Sequence, residues 1–194
     1  MYEWPEQPYY DMPFANEAYP ARLAAIGSAV PAGSTVLDLG CHDGRIARHL
    51  LGTGRASRVT AVDQQRLLRD EPPLLTFICA DVANLDIRTL GPVDVVLALN
   101  LVHHLVAQSR EAARALVRAA LGISSAVLAD MGSFTEHGPW PWRQQFDRYW
   151  SHDEQMWADL FGAAASRRAL LRYPAMTGGT RVLWHLQGER SALT

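Results

Sequence analysis

The stretch Val93-Asp94-Val95-Val96-Leu97-Ala98-Leu99-Asn100 restricts the fold more than any other. It is apolar almost throughout, so it has no face to offer to water, and it is far too short to cross a membrane. A run of this kind is a strand buried on both faces, which requires helices above and below a parallel sheet. Residues 35–39, 59–63, 75–81 and 126–130 repeat the pattern, with helical stretches between several of them. Helices are predicted over 21–30, over 45–51, over 107–121 and over 153–164. In the third, Ala112, Leu116, Ala119 and Ala120 share one side and arginines the other. Two last strands, 167–173 and 180–186, flank Met176-Thr177-Gly178-Gly179, the kind of short glycine-containing link that joins an antiparallel pair. The reading is a doubly wound α/β domain spanning 1–194, a seven-stranded sheet mostly parallel with a C-terminal antiparallel hairpin.

Two segments fall outside this alternation. Residues 1–20 hold four prolines with Tyr2, Trp4, Tyr9, Tyr10, Phe14 and Tyr19, so they sustain neither a long helix nor a central strand. They read as an arm draped over the domain, packed as a terminus or closing the ligand mouth as a lid. Residues 131–152 break the pattern again, and we read them as an irregular insertion on the substrate side.

The net charge of −2 provides no field for nucleic acid or an anionic membrane. All 18 basic residues are arginine, which excludes a lysine nucleophile, a Schiff base or a phosphate-loop lysine. Cys41 and Cys79 lack metal or redox spacing and read as two reduced, buried thiols. With no signal peptide and no membrane-length apolar run, the protein is expected to be soluble, cytoplasmic and bacterial, a monomer or homodimer.

In open parallel sheets, ligands sit beyond the carboxyl ends of the strands. Here those ends carry Asp38, Asp63, Asp81, Asn100 and Asp130. The turn after the first strand reads Gly40-Cys41-His42-Asp43-Gly44, which does not keep the glycine frame of a dinucleotide fingerprint. Gly52-Thr53-Gly54 precedes a strand instead of following one and is set aside. Acids around the loop oppose a pyrophosphate and favour a cationic ligand.

Residues 36–44 resemble the first motif of the class I S-adenosylmethionine-dependent methyltransferases, whose loop is acid-x-Gly-x-Gly-x-Gly. Asp63 is similar to that family's ribose-binding acid, Asp81 to the acid near the adenine amino group, and residues 99–105 to the fourth-motif stretch of its small-molecule members. His42 stands where the middle glycine is usual, and histidine is among the side chains best tolerated at positive φ. The resemblance covers about residues 34 to 130. It implies a Rossmann-like fold and S-adenosylmethionine as cofactor. Asp38, Gly40, Cys41, His42, Gly44, Asp63, Gln64, Asp81, Val82, Asn100 and Leu101 would line the cofactor, with no metal.

The same family implies methyl transfer to a compact acceptor, most simply a hydroxyl of a sugar, natural product or similar metabolite. An in-line displacement depends on placement, and a hydroxyl also needs its proton removed. His103 and His104 are the candidate bases, with Asp130 orienting an imidazole of near-neutral pKa. Tyr9, Tyr10, Trp140, Trp142 and Arg143, with Phe134 and His137 beside them, would form an aromatic wall with one cation for the acceptor. Asp94, early in its strand, reads as structural. A non-catalytic cofactor-binding or scaffold protein of the same fold is the alternative, and an RNA methyltransferase a more distant one.

Overall fold

The computed structural model describes residues 18–68, 71–175 and 178–188. Seven strands form one sheet in the order β3-β2-β1-β4-β5-β7-β6. They are β1 (Ser34–Leu39), β2 (Ala56–Asp63), β3 (Leu75–Cys79), β4 (Val93–Leu99), β5 (Ser124–Asp130), β6 (Ser166–Pro174) and β7 (Thr180–Gln187). The first five run parallel, β7 pairs antiparallel with β5, and β6 with β7. The strand order turns back beside β1, so the ends of β1 and β4 flank the crevice where such sheets take ligands.

Among the described residues six α-helices cover the sheet: α1 (Tyr19–Ala29), α2 (Arg45–Gly52), α3 (Val102–Gln108), α4 (Arg110–Ile123), α5 (Pro141–Tyr149) and α6 (Asp153–Phe161). Successive strand residues point to opposite faces, and the core divides accordingly. Val36, Val95, Leu97, Leu99 and Leu128 pack with Ile26 of α1 and Ala47 and Leu50 of α2. Leu37, Leu39, Val96, Ala98, Val127 and Ala129 pack with α3, α4, α5 and α6 on the other side. Asp38 and Asp130 therefore belong to the α1 face, on the same alternation as Val36 and Leu128.

Three expected elements differ. The helix predicted over 107–121 is two helices broken at Ser109, whose extended backbone and side-chain oxygen, accepting from Ala112 N at 3.2 Å, start α4. Its buried side is Ala113, Leu116, Val117, Ala120 and Leu121, so Ala112 and Ala119 lie off the core stripe. The insertion is not irregular throughout: Pro141 opens α5 in the first-turn position where a missing N–H costs nothing. The cap of α6 is His152, whose Nδ1 accepts from Gln155 N at 3.2 Å, with Asp153 one position on. Cys41 is buried as expected, whereas Cys79, at the end of the outermost strand β3, is exposed.

Asp94 has the structural part expected of it. Its Oδ2 accepts from Thr35 N at 2.7 Å and Thr35 Oγ1 at 2.8 Å, tying the starts of β1 and β4.

Candidate functional site

The loop after β1 is pinned at both ends. Gly40 N and Cys41 N both donate to Val62 O, at 2.8 and 3.1 Å, and Gly44 N donates to Cys41 O at 2.9 Å. Gly40, His42 and Gly44 all adopt left-handed backbone, at φ 70°, 54° and 74°. This is the alternate-residue kink that the sequence predicts, with His42 tolerated in the middle. A Cβ on Gly40 would lie 3.3 Å from Leu101 Cδ1, and one on Gly44 only 2.4 Å from Leu68 Cδ1. Both glycines are required by φ, and a side chain at either would also push a leucine aside.

Asp63 closes this cradle. Its Oδ2 accepts from His42 N and its Oδ1 from Gln65 N, each at 2.9 Å, with Gln64 between. A carboxylate offers about four acceptor sites, so two remain for a diol. Asp81 holds its own turn in the same way, accepting from Ala83 N at 2.9 Å and Asn84 Nδ2 at 2.8 Å, with Val82 buried beside it. Asp38 differs from both. It is 3% exposed, and among the described residues no hydrogen bond reaches its carboxyl. Burial, then the charge of Asp63, push its pKa up to about 7 against the opposing pull of Arg22. A cation arriving here would return Asp38 to its charged form.

At the end of β4, Asn100 is also left-handed, at φ 54°. Its N–H donates to Asp130 Oδ1 at 2.7 Å, and its Oδ1 accepts from Arg181 Nη1 at 2.6 Å. Leu101 follows and is buried against Gly40.

His103 and His104 lie in α3, both buried, with ring centroids 4.2 Å apart. Burial, and then neighbouring positive charge, hold both imidazoles well below their ordinary range, His104 down to about 3. The near-neutral imidazole expected from the sequence is therefore replaced by a pair kept neutral. Neither is oriented by Asp130, whose carboxylate is spent elsewhere: Oδ2 accepts from Arg22 Nε and Tyr173 Oη, both at 2.7 Å, and Oδ1 from Asn100 N. Burial raises the Asp130 pKa, but Arg22, Tyr173 and the Asn100 N–H outweigh it and leave the group below the usual carboxylate range. The contacts of Asp130 anchor α1 and the end of β4.

The expected acceptor wall separates into different parts. Trp142 is 1% exposed, packed between His103 and Phe146 at centroid distances of 5.3 and 4.9 Å, so it is core and not wall. Arg143 Nη1 donates to Phe134 O at 2.6 Å, and its guanidinium lies over the Phe134 ring and beside Asp147. That cation is engaged in holding the insertion together. Trp140 is half-buried, and its Nε1 donates to His137 O at 3.0 Å. Tyr9 and Tyr10 lie outside the described residues.

Arg22, Glu136, Tyr173 and Arg181 were not anticipated from sequence. Arg181 makes a two-point pair with Glu136, Nε to Oε1 at 2.8 Å and Nη2 to Oε2 at 2.7 Å, with Glu136 buried. The partners are tens of residues apart in the chain, and only Arg22, one turn before the core residue Ile26, carries a hint in its spacing.

Residues 36–122 match a family model described as a methyltransferase domain. No curated protein matches the sequence. Among solved structures, the chain is similar to the bifunctional kinase-methyltransferase WbdD, with a TM-score of 0.72 and 19% identity over 93% of this chain and 42% of that one. It is also similar to the N-terminal domain of EvdMO1, determined in the presence of SAH and D-fucose, with a TM-score of 0.63 and 18% identity over 89% and 84% of the two chains. At such identities the likeness is one of fold, and the chain spans about two fifths of WbdD.

Proposed function

We propose, from the premise that the chain carries a class I methyltransferase domain, that it moves a methyl group from S-adenosylmethionine to a hydroxyl of a small-molecule acceptor. One observation carries the donor half of this reading. The strand-end acid Asp63 binds the His42 N–H and so locks the Gly40–Gly44 cradle, leaving its outer lone pairs to a ligand diol. The residues fit the group: a turn bounded by Gly40 and Gly44 for the methionyl part, Asp63 for the ribose, Asp81 and buried Val82 for the adenine, and Asp38 for positive charge. The bound donor would supply a methyl group activated by a sulfonium.

This chain's own residues hold and aim. Asn100 and Leu101 shape the end of β4 against Gly40, and buried His103 and His104 line the neighbouring wall of α3. We assign His104 as acceptor of the hydroxyl proton in its neutral form, with His103 packed against it. Its low pKa makes it a weak base, so placement does most of the work. Asp130 has no proton-transfer part and serves through its anchoring bonds. Residues 131–152, in which Trp140 is half-buried, are the acceptor side.

A sugar-like acceptor is supported by one similar structure, the N-terminal domain of EvdMO1, determined in the presence of SAH and D-fucose. The cradle is fully formed with His42 in it, which favours a working donor site over a non-catalytic scaffold. The test is calorimetry with S-adenosylhomocysteine, followed by transfer of labelled methyl from S-adenosylmethionine to D-fucose and other monosaccharides. No S-adenosylhomocysteine binding would end the donor reading; binding with transfer only to amines would end the hydroxyl assignment.

A further inference from the structure

We propose that Arg181 is a positioning residue for the methyl-donor site, acting through Asn100; this rests on the donor reading above. Arg181 lies in β7, the last strand of the chain, yet its Nη1 reaches the Asn100 carboxamide oxygen at 2.6 Å. A guanidinium has no lone pair to offer, so the oxygen of Asn100 must face it and the two N–H donors turn the other way. The Asn100 backbone is held from the opposite side by Asp130 at 2.7 Å. Between these two bonds Asn100 sits in left-handed backbone, which asparagine tolerates better than most L residues.

The consequence is carried by the next residue. Leu101 packs so closely on Gly40 that an added Cβ there would meet it at 3.3 Å. Asn100 thus sets where Leu101 rests against the cradle, and Arg181 sets Asn100. Arg181 is itself fixed by Glu136, whose buried carboxylate accepts from Nε and Nη2 along one edge of the guanidinium. Glu136 belongs to the insertion assigned to the acceptor. A continuous line of contacts, Glu136–Arg181–Asn100–Leu101–Gly40, therefore runs from the acceptor side to the donor loop. Its links are two sets of hydrogen bonds, the peptide bond from Asn100 to Leu101, and the packing of Leu101 on Gly40.

The experiment measures S-adenosylhomocysteine affinity by calorimetry on the full chain, alongside thermal unfolding without ligand. Arg181→Gln should weaken binding about tenfold. Asn100→Gly keeps the left-handed turn but deletes the carboxamide, and should weaken binding to a similar extent. The double variant should bind no more weakly than either single one, because both break the same link. Affinity unchanged in Arg181→Gln despite a lower melting temperature would make Arg181 merely structural and overturn the proposal, as would additive losses in the double variant. Arg181→Lys keeps a positive charge beside Glu136 but not the planar donor set that reaches Asn100, so it stands in if Arg181→Gln does not fold, and unchanged affinity in it overturns the proposal. Failure of the unaltered chain to bind S-adenosylhomocysteine is a separate result that overturns the donor reading.

Discussion

Arg22 Nε lies 2.7 Å from Asp130 Oδ2, and the two side chains are 5% and 0% exposed. The pair joins the N-terminal half of α1 to the end of β5, and Tyr173 of β6 adds its hydroxyl to the same oxygen. Asp130→Asn keeps the shape but leaves the guanidinium buried without its counter-charge, which costs about 3–5 kcal/mol. Adding Arg22→Met removes the stranded charge, so the double variant should be more stable than Asp130→Asn alone in urea unfolding. A double variant as unstable as Asp130→Asn would show that the pair is not the source. Because the folded pKa of Asp130 is depressed, its stabilisation is present above the unfolded carboxylate pKa and is lost as pH falls through the folded value below it.

Asp63→Ala removes the acceptor of the His42 N–H together with the lone pairs left for the ribose. S-adenosylhomocysteine affinity should fall at least about tenfold, the loss expected for charge-assisted hydrogen bonds. Calorimetry at neutral pH measures this directly, and unchanged affinity would move the cofactor elsewhere.

The sheet and the tight turn after β1 were legible in the sequence because both rest on local rules. A strand buried on two faces writes a continuous apolar run, and Gly40 and Gly44 bound a turn that needs left-handed backbone, so β4 and the 40–44 turn could be read directly. The break at Ser109 was missed because the helix expected over 107–121 runs across it, and the extended backbone of Ser109 and its bond from Ala112 N leave no mark on the periodicity. Trp142 and Arg143 misled for a different reason. Burial of one and self-pairing of the other follow from how α5 docks, and no spacing in 131–152 records that. The charged links of Asp130, Asn100 and Arg181 join residues 30 to 108 positions apart, where composition carries no signal at all.

Trp142 fills the space between α3 and α5, and Gly132 is close enough that an added Cβ would meet the indole at 2.7 Å. Trp142→Ala should therefore destabilise the fold by about 3–5 kcal/mol, the cost of emptying a large aromatic site. Acceptor KM in whatever protein stays folded should change far less than for Trp140→Ala. The reverse ranking would restore Trp142 to the acceptor wall.

His104 separates packing from proton transfer. His104→Ala should lower turnover more than S-adenosylhomocysteine affinity, and equal losses would make the residue packing for the cofactor. Its imidazole, held near pKa 3, stays neutral across the usual range. At saturating cofactor the rate should therefore show no imidazole limb between about pH 5 and 8, where an ordinary histidine would titrate. A clear limb near the ordinary histidine pKa that vanishes in His104→Ala would mean that the ring charges in the working enzyme.

Asp38 should give the proposed donor site its own pH dependence. Burial and the neighbouring Asp63 raise its pKa to about 7, so below that value the empty site holds a proton on Asp38. A ligand carrying a cationic ammonium or sulfonium favours the carboxylate, and binding must then release the proton. Affinity should fall as pH drops below about 7 and level off above it. Folding runs with the opposite sign: the unfolded carboxyl ionises near its ordinary value, so this group costs the fold stability as pH rises towards 7. Calorimetry of S-adenosylhomocysteine binding in two buffers of different ionisation enthalpy reads the proton release directly. Asp38→Asn should abolish both the release and the slope of affinity against pH. Binding of unchanged strength from about pH 5.5 to 8, with no proton released, would show that the carboxyl of Asp38 is already ionised before the ligand arrives.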